Sequence, residues 1–199
     1  MGHTIKRLVD IGAAATGLVL LSPLIIYLIF KIKSSIGSPV FFSQVRIGKG
    51  ERPFTLVKFR TMKPGPESDS ERMTPFGQWL RATSLDELPE LWNILRGDMS
   101  LVGPRPLLPE YLPYYSEREQ TRHTVRPGIT GLAQISGRNA LSWNERLELD
   151  AQYVERWSLR EDMRILWRTF HTVTSKEGVS ADGHLTMPRL DDDRRSTSH

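Results

Sequence analysis

The 199-residue chain carries 27 Lys and Arg against 23 Asp and Glu, for a net charge of +4 and a pI near 9.5. That length allows one domain of modest size beyond any membrane segment, with a real core. The absence of cysteine excludes disulfides, zinc–thiolate sites and thiol nucleophiles. No arginine-rich arm or aromatic-spaced basic groove speaks for nucleic acid, so the basic balance points to anionic lipid headgroups and phosphorylated substrates.

The first element is an uncharged apolar run of 20 residues, Ile11 to Phe30, broken near its middle by Ser22-Pro23. Roughly 20 residues at ~1.5 Å each match a ~30 Å hydrocarbon core. Pro23 removes a backbone donor and predicts a kink, and Ser22 can bond a carbonyl freed by it. Lys6 and Arg7 flank one end and Lys31 and Lys33 the other, which draws both ends to the cytoplasmic face. A helix that enters, bends and returns satisfies both facts. The competing readings are a spanning helix with a tolerated proline, a signal peptide and a buried core helix.

Pro39–Ile47 and Pro53–Met62, rich in Val, Phe, Thr and Ile, read as a β-hairpin around residues 48–52. Residues 63–72 read as a loop. Thr74-Pro75 opens a short helix to about Arg81. A second helix is expected over Ser84–Arg96, with Leu88, Leu91, Trp92 and Leu95 on one face and Gly97 as its stop. Residues 114–124 are compatible with a helix. Arg126–Arg138 holds three glycines and one proline and reads as an ordered loop. Ser142 and Glu145 form a capping-box pair opening a helix to about Trp157. A last helix, about Leu159–Thr174, carries Met163, Leu166, Trp167, Phe170 and Val173 at helical spacing, as membrane-surface or core contacts. The polar tail from Lys176 reads as disordered.

Chemistry concentrates at Ser84–Asn93, where Asp86 and Glu87 are adjacent carboxylates. Capping competes here, because Ser84 with Glu87 matches a capping box and acids favour helix starts. Around them lie Lys58, Arg60, Arg81, Asp98, Arg105, Arg126 and Arg138. Paired carboxylates among arginines suggest phosphoryl chemistry, in which cations neutralise phosphates so that a carboxylate can approach. Mg²⁺ suits such a site, since it needs only one or two carboxylates plus substrate oxygens. Adjacent helical residues project about 100° apart, which gives the two acids different jobs. Arg105, between two prolines, has a preset direction for an anion contact. Lys58 and Arg60 face one side of a strand and Phe59 the other. His123 and His171 read as surface residues.

Four segments in this order resemble the monotopic phosphoglycosyl transferases, the bacterial sugar transferases that begin glycoconjugate assembly. They are KFRTM (58–62), TSLDELPELWNILRGDMSLVGPRPL (83–107), RPGITGLAQISGRN (126–139) and the helix from Ser142. The likeness is closest to the small bacillosamine-type members and extends from about Lys6 to Val173. The resemblance implies transfer of a sugar-1-phosphate from a UDP-sugar to polyprenol (undecaprenyl) phosphate, with Mg²⁺ and release of UMP. Asp86 would be the nucleophile and a metal contact, and Glu87 its partner acid. Lys58, Arg60, Arg81, Arg105, Arg126 and Arg138 would bind substrate, with Pro104-Arg105-Pro106 on the nucleotide side. Ser22-Pro23 would be the break of a re-entrant membrane helix. The fold expected is α+β and mostly helical, monotopic, with a small hairpin and interfacial amphipathic helices. It divides into an anchor (1–36), a catalytic domain (37–175) facing the cytoplasm from the bacterial inner membrane, and the tail (176–199). The sugar and a homo-oligomeric state stay open. A membrane scaffold and a Mg²⁺-dependent nucleotide-sugar hydrolase are the alternatives.

Overall fold

The computed structural model describes residues 2–137, 141–175 and 189–197. Helix dominates, accompanied by two separate two-stranded sheets. Two compact units alternate along the sequence. One takes His3–Gln44 and Thr55–Gly97, the other Val45–Phe54 and the chain from Asp98.

In the first unit, α1 (Gly2–Leu20) and α2 (Ser22–Ser35) meet at a 62° bend. The cause is local. Pro23 has no N–H for the carbonyl four residues back, Val19 O, and the Ser22 hydroxyl donates to that same carbonyl at 2.8 Å. Among the described residues no single helix is long and apolar enough to cross a membrane, whereas the bent pair passes by length and composition. One face of α2 packs Leu28 and Ile32, joined by Ile36 just past its end, against Phe59 and Leu80. Ile26, Tyr27 and Phe30 of the same helix are exposed.

The expected hairpin forms from β1 (Phe41–Ile47) and β2 (Pro53–Phe59), with Phe41 stacked on Phe59 at 5.5 Å. Its turn needs Gly50 at φ 65°. The segment expected as a loop over 63–72 contains a short helix, α3 (Asp69–Arg72), opened by a Ser68–Glu71 capping box. In α4 (Pro75–Ala82) the Gly77 N–H donates to the Thr74 hydroxyl at 3.0 Å, with Pro75 in the first turn as expected. The single helix expected over 84–96 is corrected. It is a 3-10 turn (Leu85–Glu87) followed by α5 (Glu90–Arg96), because Pro89 has no N–H and cannot continue a ladder from the preceding turn. Gly97, at φ 96°, ends α5 as anticipated.

In the second unit β3 (Ser100–Val102) leads through Pro104-Arg105-Pro106 to a 3-10 stretch, Pro109–Tyr114. Next come α6 (Glu117–Gln120) and a 3-10 turn, Thr121–Thr124. The loop expected over 126–138 is replaced by β4 (Gly128–Thr130) and α7 (Leu132–Ser136). β4 runs parallel to β3, pairing Ser100 with Gly128 and Val102 with Thr130. Strands of three residues are too short to show a period of two, which is why the sequence hides them. α8 (Trp143–Glu155) opens with the expected Ser142–Glu145 box, and α9 is Leu159–Ser175. On α9 Ile165 is buried, whereas Met163, Trp167 and Phe170 are exposed. Asp162 accepts from the Tyr153 hydroxyl at 2.7 Å and the Trp157 indole at 3.2 Å.

Part of the tail departs from the expected disorder. Residues 190–197 form α10 (Leu190–Thr197), whose Leu190 is fully buried with Leu107, Tyr111, Tyr115, Trp143 and Leu147. Arg194 pairs with Glu119, and Arg195 donates to the Tyr114 hydroxyl at 3.0 Å. A single apolar anchor in a charged segment is below what composition detects. Residues 176–188 lie outside the described set.

Candidate active site

The carboxylates stand where the chain is least regular. Ser84 is left-handed, at φ 55°, and makes no capping bond, so the Ser84–Glu87 capping box does not form. A non-glycine residue in that region costs free energy and is held only by its surroundings. Leu85 and Leu88 supply the hold, packing against the cluster of Leu28, Ile32, Phe59 and Leu80. Between them Asp86 is only 9% exposed.

Glu87 and Glu90 converge on one cation. Lys58 Nζ lies 2.7 Å from Glu87 Oε1 and 2.9 Å from Glu90 Oε1, with Glu90 2% exposed. Lys58 thus ties β2 to the turn that carries Asp86. Asn93, fully buried, adds a second tie. Its side-chain amide donates to Thr55 O at 2.7 Å, and its oxygen accepts from the Val57 N–H at 3.2 Å. From α1, Arg7 donates to Ile94 O at 2.7 Å and Leu95 O at 3.0 Å, satisfying carbonyls of the last turn of α5. The acidic turn is therefore tied to β2 through Lys58, and the α5 helix that follows it is held by β2 through Asn93 and by α1 through Arg7. Two other expected cations have local work. Arg60 Nε donates to Pro39 O at 2.6 Å, and Arg81 Nε to the Thr61 hydroxyl at 3.0 Å.

The second unit gathers cations of its own. Gly103 N–H donates to Thr130 O at 2.9 Å and Gly128 N–H to Pro104 O at 3.0 Å, which sets Arg105 and Arg126 on adjacent segments. A Cβ at Gly128 would lie 2.1 Å from Gly103 N, so this approach demands glycine. Behind them, Arg122 and Asp150, each with a 2% exposed side chain, pair at 2.8 Å. Arg122 also donates to Arg105 O at 2.6 Å. Burial raises the Asp150 carboxyl, and the Arg122 guanidinium works against that rise. Arg146, one turn before Asp150, covers the Trp143 ring at 5.2 Å. Its own acidity is increased first by burial and then by the nearby charge of Arg105. Arg138 lies outside the described residues.

Three residues of this cluster escaped the sequence reading. Arg122 and Asp150 look like ordinary surface charges on helical segments, and only their joint burial sets them apart. His123, expected on the surface, is 5% exposed. Burial and the adjacent Arg122 charge hold it down to about 4. The signal available was weak: His123 directly follows an arginine in a stretch without a clear polar face.

Among the described residues no three His, Asp or Glu side chains form a metal cage. Mg²⁺ needs less, one or two carboxylates with diphosphate oxygens and water completing six ligands. Asp86 is a carboxylate of the kind such a site uses, whereas its neighbour Glu87 is engaged by Lys58.

The family described as "Bacterial sugar transferase" matches residues 1–176. An "Uncharacterized sugar transferase EpsL" of Bacillus subtilis is 49% identical over 94% of this chain and 95% of that protein. A "UDP-glucose:undecaprenyl-phosphate glucose-1-phosphate transferase" of Caulobacter vibrioides is 41% identical over 87% of this chain and 71% of that protein. An "Undecaprenyl-phosphate galactose phosphotransferase" of Salmonella typhimurium is 35% identical over 88% of this chain, which spans 41% of that longer protein. With a family match across most of its length and relatives at these identities, the chain belongs to the bacterial sugar transferase family.

Proposed function

We propose that the protein transfers a sugar-1-phosphate from a UDP-sugar to undecaprenyl phosphate, releasing UMP, in the first membrane step of a glycoconjugate pathway. A carboxylate oxygen of Asp86 attacks the β-phosphorus of the donor as the bond from that phosphorus to the bridging oxygen breaks, and the bridging oxygen leaves with UMP. The resulting acyl phosphate retains transfer potential. A phosphate oxygen of the lipid then attacks the same phosphorus and frees the carboxylate. Lys58 holds Glu87 and Glu90 beside the nucleophile and keeps their charges from adding to those of the incoming diphosphate. Glu87 acts as partner acid. Arg105 and Arg126 serve the nucleotide phosphates. Mg²⁺, when bound through Asp86, supplies charge neutralisation for the diphosphate.

The observation that carries this reading is Asp86 itself, buried in a turn held by a left-handed Ser84 that does no capping. A scaffold whose acids only cap a helix has no use for that arrangement. The bent pair α1–α2 supports a re-entrant anchor in the cytoplasmic membrane, with exposed Trp167 and Phe170 of α9 at the lipid surface. An anchor of this kind suits one substrate dissolved in water and one in lipid, and gives a hydrolase no benefit.

The test is intact-mass measurement of membrane-embedded protein treated with UDP-sugars and Mg²⁺ in the absence of acceptor. Wild type is expected to gain the mass of a sugar phosphate and Asp86→Asn to gain none. UMP release should fall by at least a thousandfold in that variant. A fully active Asp86→Asn protein overturns the covalent route, and sugar phosphate freed at equal rate without undecaprenyl phosphate favours the hydrolase.

A further inference from the structure

The Arg122–Asp150 pair is an expensive feature with no obvious return in stability. Buried ion pairs of this kind are often replaceable by apolar residues of similar volume without loss. Arg122 does something further that no apolar residue could do. While Nε and Nη2 hold Asp150 Oδ2 at 3.1 and 2.8 Å, Nη2 also donates to Arg105 O at 2.6 Å. That bond fixes the peptide plane between Arg105 and Pro106. The plane on the other side, between Pro104 and Arg105, is fixed by the Gly128 N–H bond to Pro104 O at 3.0 Å. Prolines at 104 and 106 restrict their own φ and disfavour helical backbone at Arg105, but they leave the peptide planes free to rock. The two donations remove that freedom, so the only torsions left to Arg105 are those of its side chain.

We propose that Arg122 and Asp150 are positioning residues, a buried strut whose contribution to activity passes entirely through the backbone of Arg105. The strut makes the Arg105 guanidinium a pre-aimed clamp for the donor's phosphates. The proposal rests on the donor-binding reading of Arg105 given above. Asp150 serves by orienting the Arg122 fork, and neither residue touches substrate.

The test is a double-mutant cycle on full-length protein in lipid nanodiscs, reading UMP release. Arg122→Lys can still pair with Asp150, but a point ammonium cannot also span to the Arg105 carbonyl. It is expected to raise the donor KM at least tenfold with the acceptor KM unchanged. The joint apolar replacement Arg122→Met with Asp150→Leu should do the same while leaving the melting temperature within a few degrees. In the Arg105→Ala background either change should shift the donor KM by less than twofold, because the clamp is already gone. Effects that multiply with Arg105→Ala, or unfolding of both Arg122 variants, would overturn the strut.

A second readout does not depend on turnover. The chain has no cysteine, so a nitroxide on Arg105→Cys is site-specific. Its spectrum should be immobilised in the parent and mobile after Arg122→Lys, and equal spectra refute the pin. Loss of the donor reading is recognised separately, by a donor KM that Arg105→Ala leaves unchanged.

Discussion

At the scale of single residues, His123 carries a pH dependence. It lies buried against Tyr115, ring centroids 5.4 Å apart, with Nδ1 3.8 Å from Glu51 Oε1 and the Arg122 guanidinium nearby. Its folded value near 4 lies below the ordinary 6.5. Between those two pH values the unfolded chain therefore binds a proton that the folded one refuses. The stability His123 contributes is whole above pH 6.5 and falls as pH drops toward 4, by up to ~1.4 kcal/mol per unit. The difference in melting temperature between wild type and His123→Phe should shrink or reverse across that window. Parallel curves from pH 7 to 4 would sink the assignment. The same scale shows what a sequence can reveal. Asp86, Glu87 and Arg105 stand out in the sequence by residue type and neighbours, and their proposed roles come from the family resemblance. Ser84 misleads, because a capping box is a local pattern, whereas the left-handed turn is held by Leu85 and Leu88 packing onto a cluster assembled from distant parts of the chain. Arg122, Asp150 and His123 are ordinary until folding buries them together.

At the scale of elements, the contact of β3 with β4 is the least forgiving. Cβ atoms added at Gly103 and Gly128 would come within 2.3 Å of Arg126 O and 2.1 Å of Gly103 N, both backbone atoms. Backbone cannot swing aside as a side chain can. Gly128→Ala is expected to destabilise the protein by about 3 kcal/mol, the upper part of the overpacking range, and to raise the donor KM by displacing Arg105. Chemical denaturation checks the first effect and UMP release the second. An alanine variant with wild-type stability would mean that the strands part without cost. Among the elements, those with long periodicity or caps were readable: α4, α8, α9, the hairpin and the bend at Pro23. The parallel pair was not, since its register is set by glycine contacts between segments far apart in sequence. α10 was not either, resting on one leucine.

At the scale of the molecule, the segment expected as an anchor, 1–36, packs its buried face against residues of the expected catalytic domain. Leu28, Ile32 and Ile36 share one buried cluster with Phe59 and Leu80, and Leu85 and Leu88 of the acidic turn pack onto it. Burying an aliphatic side chain contributes roughly 1.5–3 kcal/mol, so these three supply about 5–9 kcal/mol. That is comparable with the whole stability of a small domain. Deletion also removes Arg7 and with it both side-chain bonds to the end of α5. A chain beginning at Gly37 is therefore expected to lose the fold of residues 55–97. Limited proteolysis in detergent should cut within 55–97 at once in the truncated protein and slowly in the full chain. Activity should be absent even with a short, water-soluble polyprenol phosphate, for which no anchor is needed to reach the acceptor. Full turnover of the truncated chain with that acceptor would show the opposite, that the anchor only localises the site. The packing argues for a stronger role, in which the bent helix pair α1–α2 is the floor on which the Asp86 turn is built.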